Sequence, residues 1–140
     1  MIAKFFTSPL LFLILLTFSS SLSSPDFDCT SIRTGIFFQY KNGNQLYSTV
    51  IRQDTLQTEI NTQTGDTSYW KIRWTENCTF SCNYISGFKS KSKKELDFYN
   101  QSTLFFKVKT LNDKYYNYDA ELKFKSESMF FSDTLWRQKK

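Results

Sequence analysis

The sequence contains no histidine. That absence alone excludes a Ser-His-Asp triad, a Cys-His nucleophile pair and a His-ligated zinc site. Glycine and proline are scarce, at 4 and 2 residues, while aromatic residues make up 19% of the 140-residue chain, Phe leading with 15. Such a composition, rich in aromatic and β-branched side chains, is not that of a disordered chain. No internal repeat of fixed period and no second domain boundary can be found. A chain of this length is one domain, and the residues point to a small β-rich one.

Only one long apolar run exists, and it lies at the start. Lys4 is the sole charge among residues 1–23, Leu10 to Phe18 is apolar except for Thr17, and Ser19 to Ser24 is a run of small residues interrupted only by Leu22. Charged n-region, apolar h-region and small-residue cleavage site together form a secretory signal peptide. The run is too short to span a bilayer, which takes about 20 apolar residues. Ser21 and Ser23 occupy the −3 and −1 positions of a cut after Ser23. The chain is therefore expected to be exported, periplasmic or secreted, with no membrane span after signal removal. Residues 24–30 form a lead-in, and 31–140 a single β domain. The residues before Cys29 are Ser-Pro-Asp-Phe-Asp, which is not a lipoprotein signal.

Period-two alternation runs through the rest. Trp70, Ile72 and Trp74 share one parity against Tyr69, Lys71 and Arg73. Cys78, Phe80, Cys82 and Tyr84 alternate with Thr79, Ser81 and Asn83. Leu104, Phe106 and Val108 oppose Phe105, Lys107 and Lys109, and Tyr116, Tyr118, Ala120, Leu122 and Phe124 oppose Asn117, Asp119, Glu121 and Lys123. Ile32, Thr34, Ile36, Phe38 and Tyr40 also share a parity. Eight strands are predicted, at about 31–40, 46–53, 55–62, 67–75, 78–86, 102–111, 115–125 and 128–137. Tight turns at Lys41-Asn42-Gly43-Asn44, Gln63-Thr64-Gly65-Asp66 and Asn112-Asp113-Lys114, with a weaker break at Gln53-Asp54, make consecutive strands pair antiparallel. The one long connection, the Lys-rich 87–101, has room for a helical turn over 93–99. The fold class is all-β, an antiparallel meander that escapes edge exposure by closing into a small lipocalin-like barrel. A two-sheet β-sandwich is the alternative. The expected core is Ile36, Phe38, Val50, Trp70, Ile72, Trp74, Phe80, Phe106, Leu122 and Phe124. So much aromatic bulk implies a mostly filled or a flattened, half-open barrel.

Three cysteines allow one disulfide and one thiol. Cys78 and Cys82 lie four apart on one extended strand, which separates their Cα atoms by roughly 13 Å, beyond the ~7 Å limit for a bridge. Cys29 therefore pairs with one of the two. Asp28-Cys29, Arg33-Thr34-Gly35-Ile36-Phe37, the segment Val50 to Glu59, Lys71-Ile72-Arg73-Trp74 and Asn77-Cys78-Thr79-Phe80 resemble a family of small exported proteins of Bacteroidetes-type bacteria. The resemblance spans about residues 28–85. It implies that the recurrent cysteines are Cys29 and Cys78, and hence that these two form the bridge. Cys82 is an addition of this chain, and Ile36 stands where the family has Thr. No activity comes with the resemblance. Some family members carry the label DNA topoisomerase IV. That chemistry needs an ATPase module, a tyrosine nucleophile in a large DNA gate and a Mg-binding carboxylate cluster, for which this chain has no room.

Candidate sites are few. Lys89, Lys91, Lys93 and Lys94 could form an anionic-surface patch but read first as a solvated loop, and no specific nucleic acid is expected. Tyr115, Tyr116 and Tyr118 cannot all face inward, so Tyr115 and Tyr118 are candidates for an aromatic binding surface. Arg52, Asp54 and Glu59 read as surface charge pairing, with Arg52 and Asp54 on one side and Gln53, Gln57 and Glu59 on the other. Asp26 and Asp28 are too few oxygen ligands for calcium. If the source is bacterial, as the resemblance implies, the sequons Asn77-Cys78-Thr79 and Asn100-Gln101-Ser102 carry no meaning. No catalytic residue, cofactor or metal is expected. The expected function is a non-enzymatic binding module of the envelope or secreted space, holding a small apolar ligand, a peptide or an envelope protein. The alternative is a structural or accessory envelope protein with no ligand pocket. Protein recovered after export should begin at Ser24 by intact mass; a mass that retains Leu10–Phe18 would mean an anchored chain.

Overall fold

The computed structural model describes residues 27–140. The expected signal peptide, 1–23, and the first part of the lead-in lie outside the described residues. A short 3-10 turn, Cys29–Ile32, precedes eight strands: β1 (Thr34–Lys41), β2 (Gln45–Gln53), β3 (Leu56–Asn61), β4 (Thr67–Glu76), β5 (Thr79–Ser86), β6 (Ser102–Leu111), β7 (Tyr115–Phe124) and β8 (Glu127–Trp136). One helix, α1 (Lys93–Gln101), sits between β5 and β6. The strands pair in sequence order, all antiparallel, and β8 returns to β1 to close a barrel. The sandwich alternative is set aside by this closure.

Alternation sets the faces. On β4, Ser68, Trp70 and Ile72 are buried while Tyr69, Lys71 and Arg73 are exposed. A side chain on a strand points opposite to its neighbours, so every second residue enters the barrel. The turns have the required chemistry. Asn42 and Gly43 both take positive φ, the conformation for which an Asn-Gly pair is suited. Gly87 is needed for a different reason: a Cβ there would stand 2.3 Å from the carbonyl oxygen of Thr67, so only glycine lets the β5–α1 connection cross the start of β4. The helix expected within 93–99 is present and longer. It starts at a capping box in which Ser92 Oγ accepts from the Glu95 N–H and the Glu95 carboxylate accepts from the Ser92 N–H, satisfying two otherwise orphaned donors.

The two ends of the barrel differ. The base carries the 3-10 turn and the short turns after β2, β4 and β6. The mouth carries the turns after β1, β3 and β7 together with α1. The 3-10 turn plugs the base. Asp28 caps it by accepting from the Thr30 N–H at 3.0 Å, and Cys29 and Ile32 are wholly buried. A Cys29–Cys78 disulfide ties the plug to the β4–β5 turn, across 49 residues of chain. Closing a loop of that length stabilises by ~4 kcal/mol in the chain-entropy description. Cys82 remains a buried thiol inside the barrel.

One expected face is inverted. Ile36 is 54% exposed and Phe38 is half-buried with the Lys139 ammonium over its ring; neither belongs to the interior. Phe37 enters instead and is fully buried. The parity list began at Ile32, which lies in the 3-10 turn and not on the strand. A three-residue period carries no strand parity across its end, so counting from Ile32 into β1 gave the wrong face. Of the other expected core residues, Val50, Trp70, Ile72 and Phe80 are buried, Trp74 and Phe106 pack against them, Leu122 lines the interior, and Phe124 lies outside the core, packed on Phe98 of α1 beside the surface groove. Phe80 is their centre, its ring 4.5 Å from Trp74 and stacked at 4.8 Å on Phe106. Phe80→Ala should lower the unfolding free energy by about 3–5 kcal/mol, read from urea denaturation; a loss below ~1 kcal/mol would contradict this packing.

Candidate functional site

The barrel is filled at its base and open at its mouth. An upper chamber of about 480 Å³ lies under α1, with walls from Tyr47, Ser48, Trp70, Phe88, Tyr99, Leu122, Met129 and Phe131. Below it an inner chamber of about 140 Å³ is bounded by Val50, Arg52, Gln57, Phe80, Phe106, Tyr116, Tyr118 and Leu135. Gln39, Glu59, Leu104 and Phe131 line both, so the two spaces adjoin across these side chains. Met129 and Phe131 have inward parity on β8, yet are 63% and 41% exposed. They face an interior that solvent reaches. Aromatic contacts brace the mouth: Tyr84 stacks on Phe88 at 5.2 Å, Tyr99 lies 4.8 Å from Phe88, and Trp70 meets Tyr84 edge-on at 5.5 Å.

A side opening adjoins the mouth. The seam between β1 and β8 holds only two paired positions, Phe38 with Trp136 and Gln39 with Leu135. Gln39 Nε2 reinforces it by donating to Asp133 Oδ2 at 2.6 Å. Above Asp133, β8 continues past the end of β1 and pairs only with β7. Phe130 stands on the outer face of that overhang, 73% exposed.

The inner chamber holds the main departure from the sequence reading. Arg52, Gln57 and Glu59 are not a surface group. Arg52 and Gln57 are cross-strand partners on either side of the two-residue turn Asp54-Thr55, so both side chains enter the barrel. Parity counted along the chain does not survive a turn; cross-strand register decides which residues share a face. Arg52 is 2% exposed. Its Nε and Nη2 donate to Gln57 Oε1 at 3.0 and 2.7 Å, and Nη1 donates to the Ile32 carbonyl at 2.9 Å. Gln57 Nε2 then donates to Glu59 Oε1 at 2.6 Å. The guanidinium carbon lies 4.8 Å from the ring centre of Phe80, 5.2 Å from Phe37, 5.9 Å from Tyr116 and 6.0 Å from Trp74. Each such contact contributes ~0.5–2 kcal/mol towards holding the cation. No carboxylate lies within ion-pair distance of Arg52 among the described residues.

Titration follows burial. Desolvation raises the Glu59 carboxyl above its ordinary range, opposed by the hydrogen bond from Gln57 and by the charge of Arg52. Burial raises Tyr116 and, more strongly, Tyr118. It also pushes the Cys82 thiol up to about 12, where the nucleophilic thiolate is absent at neutral pH. The Tyr116 hydroxyl is fully buried and makes no hydrogen bond of good geometry among the described residues, a deficit of about 1–3 kcal/mol if it stays unmade.

The expected surface residues are dispersed. Tyr118 is buried inside the barrel and cannot serve an outer binding surface. Tyr115 is on the outside at the base, its ring 4.9 Å from Trp136. Lys89 is exposed before α1, Lys93 and Lys94 are exposed in its first turn, and Lys91 pairs with Glu95 at 3.4 Å on the rim of the upper chamber. The loop itself is pinned to the β3–β4 turn, with Asp66 accepting from the Lys89 N–H at 3.3 Å and from the Ser90 hydroxyl. A wider surface groove of about 790 Å³ runs between α1 and the β7–β8 turn. It has no buried polar group and lies outside the barrel. The signal that could have found the interior site was the register of the Asp54-Thr55 hairpin, which sets Arg52 opposite Gln57.

Glu59 gives a pH test. On unfolding its carboxyl returns to the ordinary glutamate range, so the folded state holds the proton more tightly. The cost is absent below that range and appears as pH rises through the raised folded value. Glu59→Gln, which keeps an acceptor for Gln57, should unfold at a higher denaturant concentration than the wild type at pH 8. The difference should vanish near pH 4. A variant less stable than wild type at pH 8 would refute this account.

Among the described residues no helix is long and apolar enough to cross a membrane. Comparison with models of known protein families, with curated proteins and with solved structures gives no match.

Proposed function

We propose that this protein is an exported, non-enzymatic binding module that holds one small, elongated, mostly apolar ligand inside its barrel. The observation that carries the reading is the pair of adjoining cavities inside the barrel, above which inward-facing Met129 and Phe131 remain open to solvent. A core would have closed over them, because apolar burial is worth about 25 cal/mol per Å². The upper chamber alone, at about 480 Å³, falls within the ~300–1,000 Å³ range of small-molecule sites. Aromatic and aliphatic side chains make up half of its lining, among them Trp70, Phe88, Leu104, Leu122, Met129 and Phe131, and polar side chains such as Asn61, Asp66 and Lys91 ring its mouth. Export is supported by the signal-like residues 1–23 and by the Cys29–Cys78 bridge, a bond that persists in oxidising compartments. The likeness of residues 28–85 to small exported bacterial proteins points the same way.

A second reading, an accessory envelope protein that binds a protein partner, draws on Phe130 and the overhanging edge of β8. Such unpaired edges are places where another strand can add.

The uncharged dye Nile red separates the two. It should bind saturably at one molecule per chain and quench Trp70 emission. Leu104→Trp, which adds bulk where the chambers adjoin, should weaken binding at least tenfold while keeping the far-ultraviolet circular dichroism. Undiminished binding by that variant would remove the interior as the site.

A further inference from the structure

We infer that the inner chamber is a carboxylate site, in which Arg52 and Tyr116 receive the head group of a single-chain amphiphile whose tail lies in the upper chamber. The inference rests on the interior-binding reading above and adds the chemical class of the ligand.

Three observations meet at one place. First, Arg52 is buried with an incomplete set of partners. Of its five N–H groups, three donate to Gln57 and Ile32, leaving two without an acceptor among the described residues. Second, the Tyr116 hydroxyl, on the same chamber wall and beside the Arg52 guanidinium, makes no hydrogen bond of good geometry among the described residues. Third, a cavity of about 140 Å³ is bounded by both side chains and is separated from the upper chamber by the shared side chains Leu104 and Phe131. A buried cation and a buried donor facing one cavity are what a carboxylate would satisfy, one oxygen on the guanidinium and one on the hydroxyl, by charge-assisted hydrogen bonds.

The chamber also limits the alternatives. A phosphate head would bring three acceptor oxygens and a second negative charge, more than one guanidinium and one hydroxyl can match in this chamber. A neutral alcohol could use Tyr116 but would leave the guanidinium as it is. Arg52 binds the Ile32 carbonyl of the base plug, so the head group would stop at the plug and the tail would point to the mouth. Leu104, Leu122, Met129 and Phe131 offer the tail an apolar side of the wall between Arg52 and the mouth.

The test is displacement of Nile red from the mature, disulfide-bonded protein by decanoate and by 1-decanol at pH 8. Decanoate should displace the dye at a concentration at least tenfold lower than decanol, although it is the better hydrated of the two. The ratio should collapse to within about threefold in Arg52→Gln and also in Tyr116→Phe. The second variant keeps the test decisive where loss of Arg52 prevents folding. Equal displacement by acid and alcohol overturns the carboxylate inference and leaves the interior-binding reading standing. A preference for decanoate that both variants retain also overturns it, since the charge would then be read elsewhere, at Lys91 on the rim. Dye that neither compound displaces removes the interior-binding reading, and this inference with it.

Discussion

A guanidinium enclosed in a β-barrel constrains everything around it. Removing such a cation from water costs several kcal/mol even after relaxation, and among the described residues Arg52 meets that cost without a carboxylate in contact. The Gln57 carbonyl takes two of its donors, the Ile32 carbonyl a third, and four aromatic rings stand around the charge. Each partner comes from a different part of the fold. Gln57 is delivered by the register of the β2–β3 hairpin, Ile32 by the 3-10 plug, and the rings by β1, β4, β5 and β7. Arg52 thus links the plug, the sheet and the aromatic base, and these must be in place together for its charge to be tolerated.

The same arrangement explains why the barrel is packed at one end and open at the other. At the base, the disulfide fixes the plug against the β4–β5 turn and the rings close over Arg52. Towards the mouth, β8 outruns β1 and the wall loses a neighbour, so inward-facing Met129 and Phe131 meet solvent. Helix α1 and its preceding loop lie across this end, anchored through Asp66 and the stacked Tyr84, Phe88 and Tyr99. The consequence is an interior with a buried cation at its closed end and an open end ringed by both aromatic and polar side chains.

Much of this architecture was legible residue by residue. The alternation of Trp70, Ile72 and Trp74, or of Tyr116, Tyr118 and Ala120, is a strand pattern with an apolar face, and turns such as Asn42-Gly43 fix antiparallel order. Two readings failed for one shared reason. Ile32 appeared to continue the parity of β1, although it belongs to a 3-10 turn. Arg52 and Glu59 appeared to be surface charges, although a hairpin register brings Gln57 opposite Arg52 and turns the group inward. Parity is a property of a single unbroken strand, and both errors carried it across an interruption. Tyr118 was misplaced for a related reason: two tyrosines of one parity both fit inside, because the barrel is wide enough to hold polar groups at its floor.

The sequence by itself determined the number and order of the strands, the single long connection, and the excess of aromatic side chains that a barrel must enclose. It excluded histidine chemistry outright, and strand geometry kept Cys78 from pairing with Cys82. Those are local facts, set by the two-residue period, turn residues and covalent reach. Only the tertiary structure decided which side of β1 faces inward, that an arginine and its glutamine sit inside the barrel, and that the interior stays open above them. Each depends on cross-strand register and on the stagger between β1 and β8. These are relations between residues far apart in the chain, and no local pattern of hydrophobicity encodes them.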